Sequence, residues 1–212
     1  MLLPEIIETY IEQHSTAESS TLAALNRETH LKVLMPRMLS GQVQGMFLQL
    51  LSHAIQPKNI LEVGTYTGYS AICLARGLKS GGQLHTIEMN DELNEMSTHY
   101  FALAGVADRV TLHTGRAQDV IPKLDYTFDL VFIDGDKREY CEYYDIVFDR
   151  VRKGGFIIAD NVLWGGKIEG EEALKDPQTK GVVLFNEKVR NDHRVEKIVL
   201  PLRDGLMIIR KK

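Results

Sequence analysis

The chain has 212 residues, of which 44% are hydrophobic and 25% are charged, and its formal net charge is −4. This length is enough for one domain with a sizeable core, and no apolar run approaches the roughly 20 residues that a membrane-spanning helix needs. The negative charge argues against a general nucleic-acid binder, although it leaves room for a local basic patch that contacts one RNA.

The N-terminal segment 1–57 is predicted to be helical, because it contains no convincing strand. Apolar residues at helical spacing predict helices at 4–13, 20–32 and 42–55, with Ser19 or Ser20 as a cap for the second and Pro57 ending the third. Acidic residues stand where a signal peptide would be apolar, so no export signal is expected. We expect one domain over 1–212, with 1–57 as its helical extension.

Strands and helices alternate from residue 59 onward. Strands are predicted at 60–63, 83–88, 110–114, 128–134 and 155–160. Helices are predicted between them at 70–79, 91–104, 118–124 and 139–151. The fourth and fifth strands contain continuous apolar runs, which are typical of parallel strands that are covered on both faces.

The C-terminal part is predicted to form a helix and a β-hairpin. The helix covers 178–191, and strands at 195–201 and 206–210 flank the turn dipeptide Asp204-Gly205. The expected fold is therefore α/β, an open and mostly parallel sheet that ends in an antiparallel hairpin. Cys73 and Cys141 fall in predicted helices and provide no disulfide framework, so we expect reduced thiols and a cytoplasmic protein.

A glycine-containing turn follows the first strand, in the stretch Ile60-Leu-Glu-Val-Gly-Thr-Tyr-Thr-Gly-Tyr-Ser70. A strand, a tight turn and a helix start form the place where α/β sheets hold nucleotide-like ligands. The spacing of Gly64 and Gly68 does not match the G-x-G-x-x-G dinucleotide fingerprint. Glu62 would repel a pyrophosphate and would suit a cationic ligand, such as the sulfonium and amino group of S-adenosylmethionine.

Glu88 ends the second predicted strand and is a candidate for binding a ribose. An acid at this position accepts hydrogen bonds from both ribose hydroxyls in nucleotide-binding α/β proteins. Nicotinamide enzymes use the same arrangement, so Glu88 supports a nucleoside without choosing the cofactor.

Oxygen-bearing side chains follow the fourth and fifth strands. Asp134 lies at the end of the fourth strand, and Asp160 and Asn161 lie at the end of the fifth, where neighbouring carboxyl ends meet. These hard oxygen ligands, without His or Cys, predict Mg²⁺, or less selectively Mn²⁺ or Ca²⁺. Asp136 is a further acid that we rank below these three.

Lys137 is the candidate general base. It follows Asp134 by three positions and could face the same pocket, where it would accept a proton from a metal-bound hydroxyl. A lysine in a loop is, however, more often a solvated surface charge.

Five ordered motifs resemble those of the cation-dependent O-methyltransferases, a group that includes catechol and caffeoyl-CoA O-methyltransferases and small bacterial relatives. The similarity runs from about Met38 to the C-terminus. The motifs are Leu61-Glu-Val-Gly-Thr-Tyr-Thr-Gly-Tyr-Ser, Thr86-Ile-Glu, Gly115-Arg-Ala-Gln-Asp, Ile133-Asp-Gly-Asp-Lys and Ala159-Asp-Asn-Val-Leu-Trp-Gly-Gly. The resemblance implies a class I methyltransferase fold, with a seven-stranded sheet and helices on both faces.

The resemblance also implies a role for each matching residue. It places the methionine end of S-adenosylmethionine near Glu62, Gly64, Tyr66 and Ser70. It places the ribose on Glu88 and the adenine near Met89, Ala117 and Gln118. Met38 and Ser40 match family positions that line the cofactor and the pocket mouth. Asp134, Asp160 and Asn161 match the metal ligands, and Lys137 matches the catalytic base. Asp134 in the family also contacts the amino group of the cofactor.

The acceptor is less well defined, because the aromatic walls of animal catechol enzymes are not reproduced. Pro36 and the pair Gly135-Asp136 stand at two of those positions, and Trp164 either lines the acceptor site or packs under its loop. The basic residues that could contact an anionic acceptor are more simply explained as surface charge; they are Arg37, Lys167, Arg203 and Arg210. Both a catechol-like small molecule and a transfer-RNA 5-hydroxyuridine offer two neighbouring oxygens to a metal, so both stay open.

Two further classes are weighed against this one. A nicotinamide-dependent oxidoreductase is disfavoured by the missing fingerprint and by Glu62, and a non-catalytic interaction protein is disfavoured by the complete set of candidate residues. A homodimer is predicted from the apolar faces of the N-terminal helices and because homodimers are usual among the plant and bacterial relatives.

Overall fold

The computed structural model of the protein describes residues 4–169 and 175–212, so the first three residues of the predicted domain lie outside the described part. The helices are α1 (Glu5–Gln13), α2 (Ser20–Lys32), α3 (Gly41–Ile55), α4 (Tyr69–Arg76), α5 (Asn94–Leu103), α6 (Ala117–Val120), α7 (Tyr140–Phe148) and α8 (Pro177–Arg190). The strands are β1 (Asn59–Val63), β2 (Gln83–Glu88), β3 (Val110–Thr114), β4 (Phe128–Ile133), β5 (Val151–Ala159), β6 (Val195–Leu200) and β7 (Leu206–Lys211). None of the helices described here is long and apolar enough to cross a membrane.

The strands form a seven-stranded sheet in the order β3-β2-β1-β4-β5-β7-β6. Strand β2 pairs in parallel with β3, and β4 pairs in parallel with β5. Strand β7 runs antiparallel to both β5 and β6. The predicted α/β sheet with a C-terminal antiparallel hairpin is therefore confirmed.

Several predicted boundaries were wrong, and the largest error concerns β5. The sequence predicted a helix to residue 151 and a strand from 155, but α7 ends at Phe148 and β5 begins at Val151. Val151 continues the apolar spacing of α7, which favours a helix locally, yet its backbone pairs with Phe128 of β4. Pairing across the sheet thus overrides local periodicity.

Helix α4 also ends earlier than predicted, at Arg76 instead of residue 79. Gly77 follows it, and a Cβ at Gly77 would lie 2.3 Å from the backbone carbon of Ser52 in α3. Only a glycine permits this close approach of backbone to a neighbouring helix. The predicted helices at 91–104 and 118–124 each include a 3₁₀ turn, at Asp91–Leu93 and Ile121–Lys123.

The described residues group into two compact units. One unit, called the C-terminal unit below, contains the segments 61–64 and 117–212, and the other, called the N-terminal unit, contains the residues up to Ile60 and the segment 65–116. In the C-terminal unit, Phe185 of α8 packs edge-to-face on Tyr140 and Tyr144 of α7, at ring-centroid distances of 5.4 and 6.0 Å. All three side chains are fully buried. This aromatic cluster therefore joins α7 to α8.

The N-terminal unit has its own apolar core. Leu25 of α2, Leu48 of α3 and Ile72 of α4 are fully buried. Cys73 is also buried in α4, while Cys141 is half-buried in α7 of the other unit, and neither forms a disulfide.

A histidine pair on β2 and β3, in which His85 is buried and His113 is half-buried, predicts acid sensitivity. Nδ1 of His85 lies 3.0 Å from Nε2 of His113, and burial, followed by the charge of His113, lowers the pKa of His85 from 6.5 to about 4. The unfolded chain therefore binds more protons between these values, so this contribution to stability is present above pH 6.5 and is lost as the pH falls towards 4. We expect a loss of about 1–2 kcal/mol in the free energy of unfolding between pH 7.5 and 5.

Urea unfolding of wild type and His85→Asn at both pH values measures this loss. The variant should lose less stability on acidification, whereas a control His53→Asn, at an exposed position of α3, should behave as wild type. Equal losses in wild type and His85→Asn would contradict the assignment.

Candidate active site

Two parallel strands bring the predicted metal ligands to one edge of the C-terminal unit. Ile133 of β4 pairs with Ala159 of β5, so Asp134 and Asp160 follow at corresponding positions. The Asp160 N–H donates to the Ile133 carbonyl at 3.0 Å, which keeps the two chains paired at this point. Asp160 is only 3% exposed. Carboxyl ends of adjacent parallel strands are where open α/β sheets place their ligands.

Lys137 lies beside Asp134 and is buried. Asp136 caps a 3₁₀ turn at Lys137–Glu139 by accepting from the Arg138 N–H, and this turn directs the lysine back to the strand end. The Lys137 Nζ donates to the Asp134 carboxylate at 2.8 Å and to the Gly135 carbonyl at 3.2 Å. Lys137 is therefore not a solvated surface lysine, which was the alternative explanation for this residue.

Tyr140 supplies the third acceptor for the Lys137 amine, at 2.7 Å. Its hydroxyl also lies 3.1 Å from the Asp160 carbonyl and 3.3 Å from the Ile133 carbonyl. Burial, followed by the charges of Asp134 and Asp160, raises the pKa of Tyr140 well above its usual value. The phenol is therefore protonated at neutral pH, and it contacts both the Lys137 amine and the backbone of Asp160.

Asn161 has the left-handed backbone conformation, with φ of 57°, which asparagine tolerates better than most residues. Its N–H donates to the Asp160 carboxylate at 2.7 Å. The following residues are held on two sides, because the Val162 N–H donates to the Gly205 carbonyl and Asn186 of α8 donates to the Val162 carbonyl. The loop that carries the predicted ligands is thus tied to both the hairpin and α8.

The donor set fits a hard cation, although it contains only two carboxylates. Asp134 and Asp160 offer carboxylate oxygens and Asn161 offers an amide oxygen, which together suit Mg²⁺ better than a soft metal. Across 4–169 and 175–212, no group of three or more His, Cys, Asp or Glu could hold a metal. The predicted metal site therefore stays a prediction.

The turn after β1 packs closely against the Asp134 backbone. Gly64 has a φ of 101°, and a Cβ there would lie 2.3 Å from the Asp134 carbonyl oxygen. The Asp134 N–H donates to the Val63 carbonyl at 2.8 Å. Glu62, just before the turn, is fully buried. Only a glycine lets the backbone at position 64 come this close to the Asp134 carbonyl, which explains why Gly64 is found in this turn of the C-terminal unit.

Two further predicted residues of the C-terminal unit begin α6. Ala117 is 5% exposed, and Gln118 is half-buried with its amide donating to the Glu142 carboxylate of α7 at 3.1 Å. No direct bond joins either of them to Asp134 or Lys137 among the contacts found in the described residues.

The N-terminal unit holds the other predicted residues, and Glu88 lies at their centre. One Glu88 carboxylate oxygen accepts from the Tyr66 N–H at 2.7 Å, and the other accepts from the Asn90 N–H at 2.9 Å. Tyr66 has a φ of 50°, and its hydroxyl donates to the Leu34 carbonyl at 3.1 Å. Each carboxylate oxygen retains a lone pair for another donor.

The remaining predicted residues of the N-terminal unit differ in exposure. Ser70 is buried in the first turn of α4, and Ser40 is buried just before α3. Met38 ends a 3₁₀ turn at Pro36–Met38 and is 56% exposed, while Met89 follows β2 and is 72% exposed. The two methionines therefore present apolar surface to solvent.

The indole of Trp164 is hydrogen-bonded to the first turn of α8. Its indole N–H donates to the hydroxyl of Thr179 at 2.9 Å, and Thr179 is buried in the first turn of α8. Asp176 caps α8 by accepting from both the N–H and the hydroxyl of Thr179. This favours the packing explanation for the indole nitrogen, while the residue remains half-buried.

Sequence reasoning missed Tyr140 and Gln178. Tyr140 falls in the predicted helix 139–151, but Lys137 precedes that helix, so the spacing of three positions between them did not mark the two as neighbours on one helical face. Gln178 accepts from the Lys137 N–H at 3.1 Å but lies 41 residues away, so no local pattern identifies it.

The fold and the arrangement of the site are those of the class I methyltransferases. The O-methyltransferase family model matches residues 12–212, so the chain belongs to the O-methyltransferase family. Family membership decides against the nicotinamide oxidoreductase alternative. It also supports an enzyme over a non-catalytic interaction protein.

Solved structures and curated relatives agree with this assignment. The O-methyltransferase TomG from Streptomyces achromogenes, in complex with SAM, has a TM-score of 0.89 at 31% identity, covering 98% of this chain and 96% of that one. An O-methyltransferase from Bacillus cereus, in complex with SAH, has a TM-score of 0.87 at 31% identity, covering 98% and 97%. A catechol O-methyltransferase from Niastella koreensis is 34% identical over 93% of this chain and 90% of the relative.

Proposed function

We propose that this O-methyltransferase uses S-adenosylmethionine and a divalent cation to methylate one hydroxyl of a catechol-like small molecule. The observation that carries the proposal is the buried Lys137, whose amine lies 2.8 Å from Asp134 at the end of β4, next to the end of β5, which Asp160 follows. A buried amine beside two hard oxygen ligands suits the transfer of a proton from a hydroxyl held at that edge.

The candidate donor residues suit a cationic nucleoside. S-adenosylmethionine would supply an electrophilic methyl group on its sulfonium. Glu88 would accept from the ribose hydroxyls, and the buried Glu62 would favour a positive charge close to it. Gly64 lets the turn after β1 lie directly against the backbone of Asp134, because it has no side chain. The SAM-bound and SAH-bound relatives support this assignment.

The remaining proposed donor contacts follow the family motifs. We assign the methionine end to Gly64, Tyr66 and Ser70 with Asp134, and the pocket mouth to Met38 and Ser40. We assign the adenine to Met89, Ala117 and Gln118. The exposed face of Met89 suits an adenine ring, which binds apolar side chains through its faces.

Asp134, Asp160 and Asn161 would hold the cation. A bound Mg²⁺ would supply positive charge that stabilises an oxyanion on the acceptor. The three residues would contribute by orienting two adjacent acceptor oxygens. The pairing of β4 with β5 holds the two carboxylate positions side by side. Orienting two reactants is itself a large source of rate enhancement.

Lys137 would then accept the proton of the hydroxyl that is methylated. The O–H bond breaks, a new N–H bond forms on Nζ, and the acceptor oxygen keeps the electron pair with which it attacks the methyl carbon. The carbon–sulfur bond breaks as the carbon–oxygen bond forms. The electron pair of the broken bond stays on sulfur, which becomes a neutral thioether.

The experiment is transfer of a labelled methyl group from S-adenosylmethionine to catechol and, separately, to total transfer RNA. We expect label in the catechol fraction, and we expect a chelator to reduce it to background. Label in RNA alone would instead establish the 5-hydroxyuridine alternative, which the relatives named above do not support. Label that survives chelation would refute the metal site.

A homodimer is proposed as well. Ile6, Ile7 and Tyr10 of α1 are 77%, 44% and 58% exposed, and exposed apolar residues on one short helix suit a protein interface. Light scattering at micromolar concentration would give twice the chain mass of 24.0 kDa.

A further inference from the structure

The hydrogen bonds of Tyr140 have a defined direction. Its hydroxyl lies within hydrogen-bonding distance of two backbone carbonyls, those of Asp160 and Ile133, and of the Lys137 amine. Carbonyl oxygens only accept hydrogen bonds, so the phenol hydrogen points to them. The phenol oxygen must therefore be the acceptor towards Lys137, and its lone pair faces Nζ.

The neighbours of the Lys137 amine fix its orientation. Nζ has three neighbours, which are the Tyr140 hydroxyl, the Gly135 carbonyl and the Asp134 carboxylate. The amine donates to all three, so Tyr140 and Gly135 hold it against Asp134, on the side where the acceptor hydroxyl would be held.

Tyr140 itself is held rigidly. Its side chain is completely buried, and its ring packs edge-to-face on Phe185 of α8, at an interplanar angle of 83°. The ring has two side-chain torsions, whereas the lysine chain has four, so the tyrosine restrains the more flexible group.

Helix α8 restrains the backbone of the same lysine. The side-chain oxygen of Gln178 accepts from the Lys137 N–H at 3.1 Å. Gly181, one turn along α8, lies so close that an added Cβ would be 2.2 Å from the Lys137 carbonyl oxygen. Two points of the Lys137 backbone are thus located by one helix.

We propose that Tyr140 and Gln178 are positioning residues, which aim the Lys137 amine at the acceptor hydroxyl from its side-chain end and from its backbone end. This inference rests on the proposed function. The displacement of a reacting group by about 1 Å can cost about 100-fold in rate, so loss of either restraint should lower turnover without loss of substrate binding.

The test is steady-state kinetics with S-adenosylmethionine and catechol for single and double variants. Tyr140→Phe should lower kcat about 10- to 100-fold, and Gln178→Ala about 3- to 10-fold, with both KM values within about twofold of wild type. When either change is added to Lys137→Ala, no further loss should occur, because the group that is aimed is absent.

Matched controls separate positioning from a general structural effect. Tyr144→Phe removes a phenol on the same helix, whose hydroxyl donates to Asp192 at 3.0 Å, and should leave kcat within about twofold. Lys180→Ala, at an exposed position beside Gln178 and Gly181, should do the same. Titration calorimetry with S-adenosylmethionine and the unfolding midpoint supply readouts that do not depend on turnover.

Three outcomes overturn the inference: unchanged kcat in both Tyr140→Phe and Gln178→Ala, a rise in KM alone, or a further loss when they are combined with Lys137→Ala. If Tyr140→Phe does not fold, Gln178→Ala and its double variant decide the matter, because Gln178 is half-buried at a helix start. A wild-type enzyme that transfers no methyl group refutes the proposed function instead.

Discussion

Lys137→Ala is expected to lower the turnover of catechol by about 100- to 10,000-fold, while the affinity for S-adenosylmethionine changes little. The variant removes the proposed proton acceptor, whose amine lies 2.8 Å from Asp134 and whose side chain is 8% exposed. Because Glu62, Gly64, Glu88 and the other proposed donor contacts are unaltered, binding of the donor should persist. Initial rates and calorimetric titration of the donor measure the two quantities separately.

The control for Lys137→Ala is Lys153→Ala, at an exposed position of β5. It should match wild type in both measurements. Turnover that is unchanged in Lys137→Ala would show that another group accepts the proton. A parallel loss of donor affinity would instead assign Lys137 to donor binding.

Asp160→Asn is expected to lower turnover by about 100-fold or more and to raise the Mg²⁺ concentration that gives half-maximal rate. A catalytic cation stabilises a developing charge by several kcal/mol, and each 1.4 kcal/mol corresponds to a factor of ten. Asparagine keeps an oxygen that can accept from the Asn161 N–H, as Asp160 does at 2.7 Å, so the loop should retain its conformation. The variant therefore removes charge while preserving the local hydrogen bond.

Rates measured against Mg²⁺ concentration, on enzyme first treated with chelator, test this expectation. Binding of Mn²⁺, followed by electron paramagnetic resonance without substrate, provides a readout apart from turnover. Asp145→Asn is the control, because Asp145 is an exposed acid of α7 that pairs with Lys188. An Asp160→Asn enzyme with the Mg²⁺ response of wild type would remove Asp160 from the proposed cation site.

Most strands were predictable from local sequence patterns. The segments 83–88 and 110–114 match β2 and β3 at both ends, since turn-forming residues flank each of these segments. The start of β5 was not predictable, because Arg152 and Lys153 are exposed and only the pairing of Val151 with Phe128 makes this segment a strand. A local sequence pattern holds no information on pairing with a strand that lies more than 20 residues away, as Phe128 does from Val151.

For the candidate site, the sequence by itself determined the chemical groups and their order along the strands: acids, an amide and a lysine that follow apolar runs. Parallel strands bring their carboxyl ends together, so those groups could be expected at one edge. Only the tertiary structure decided that Lys137 is buried, that Tyr140 accepts a bond from its amine, and that Gln178 holds its backbone. Such contacts depend on packing between distant segments, and the direction of a hydrogen bond depends on every acceptor around it.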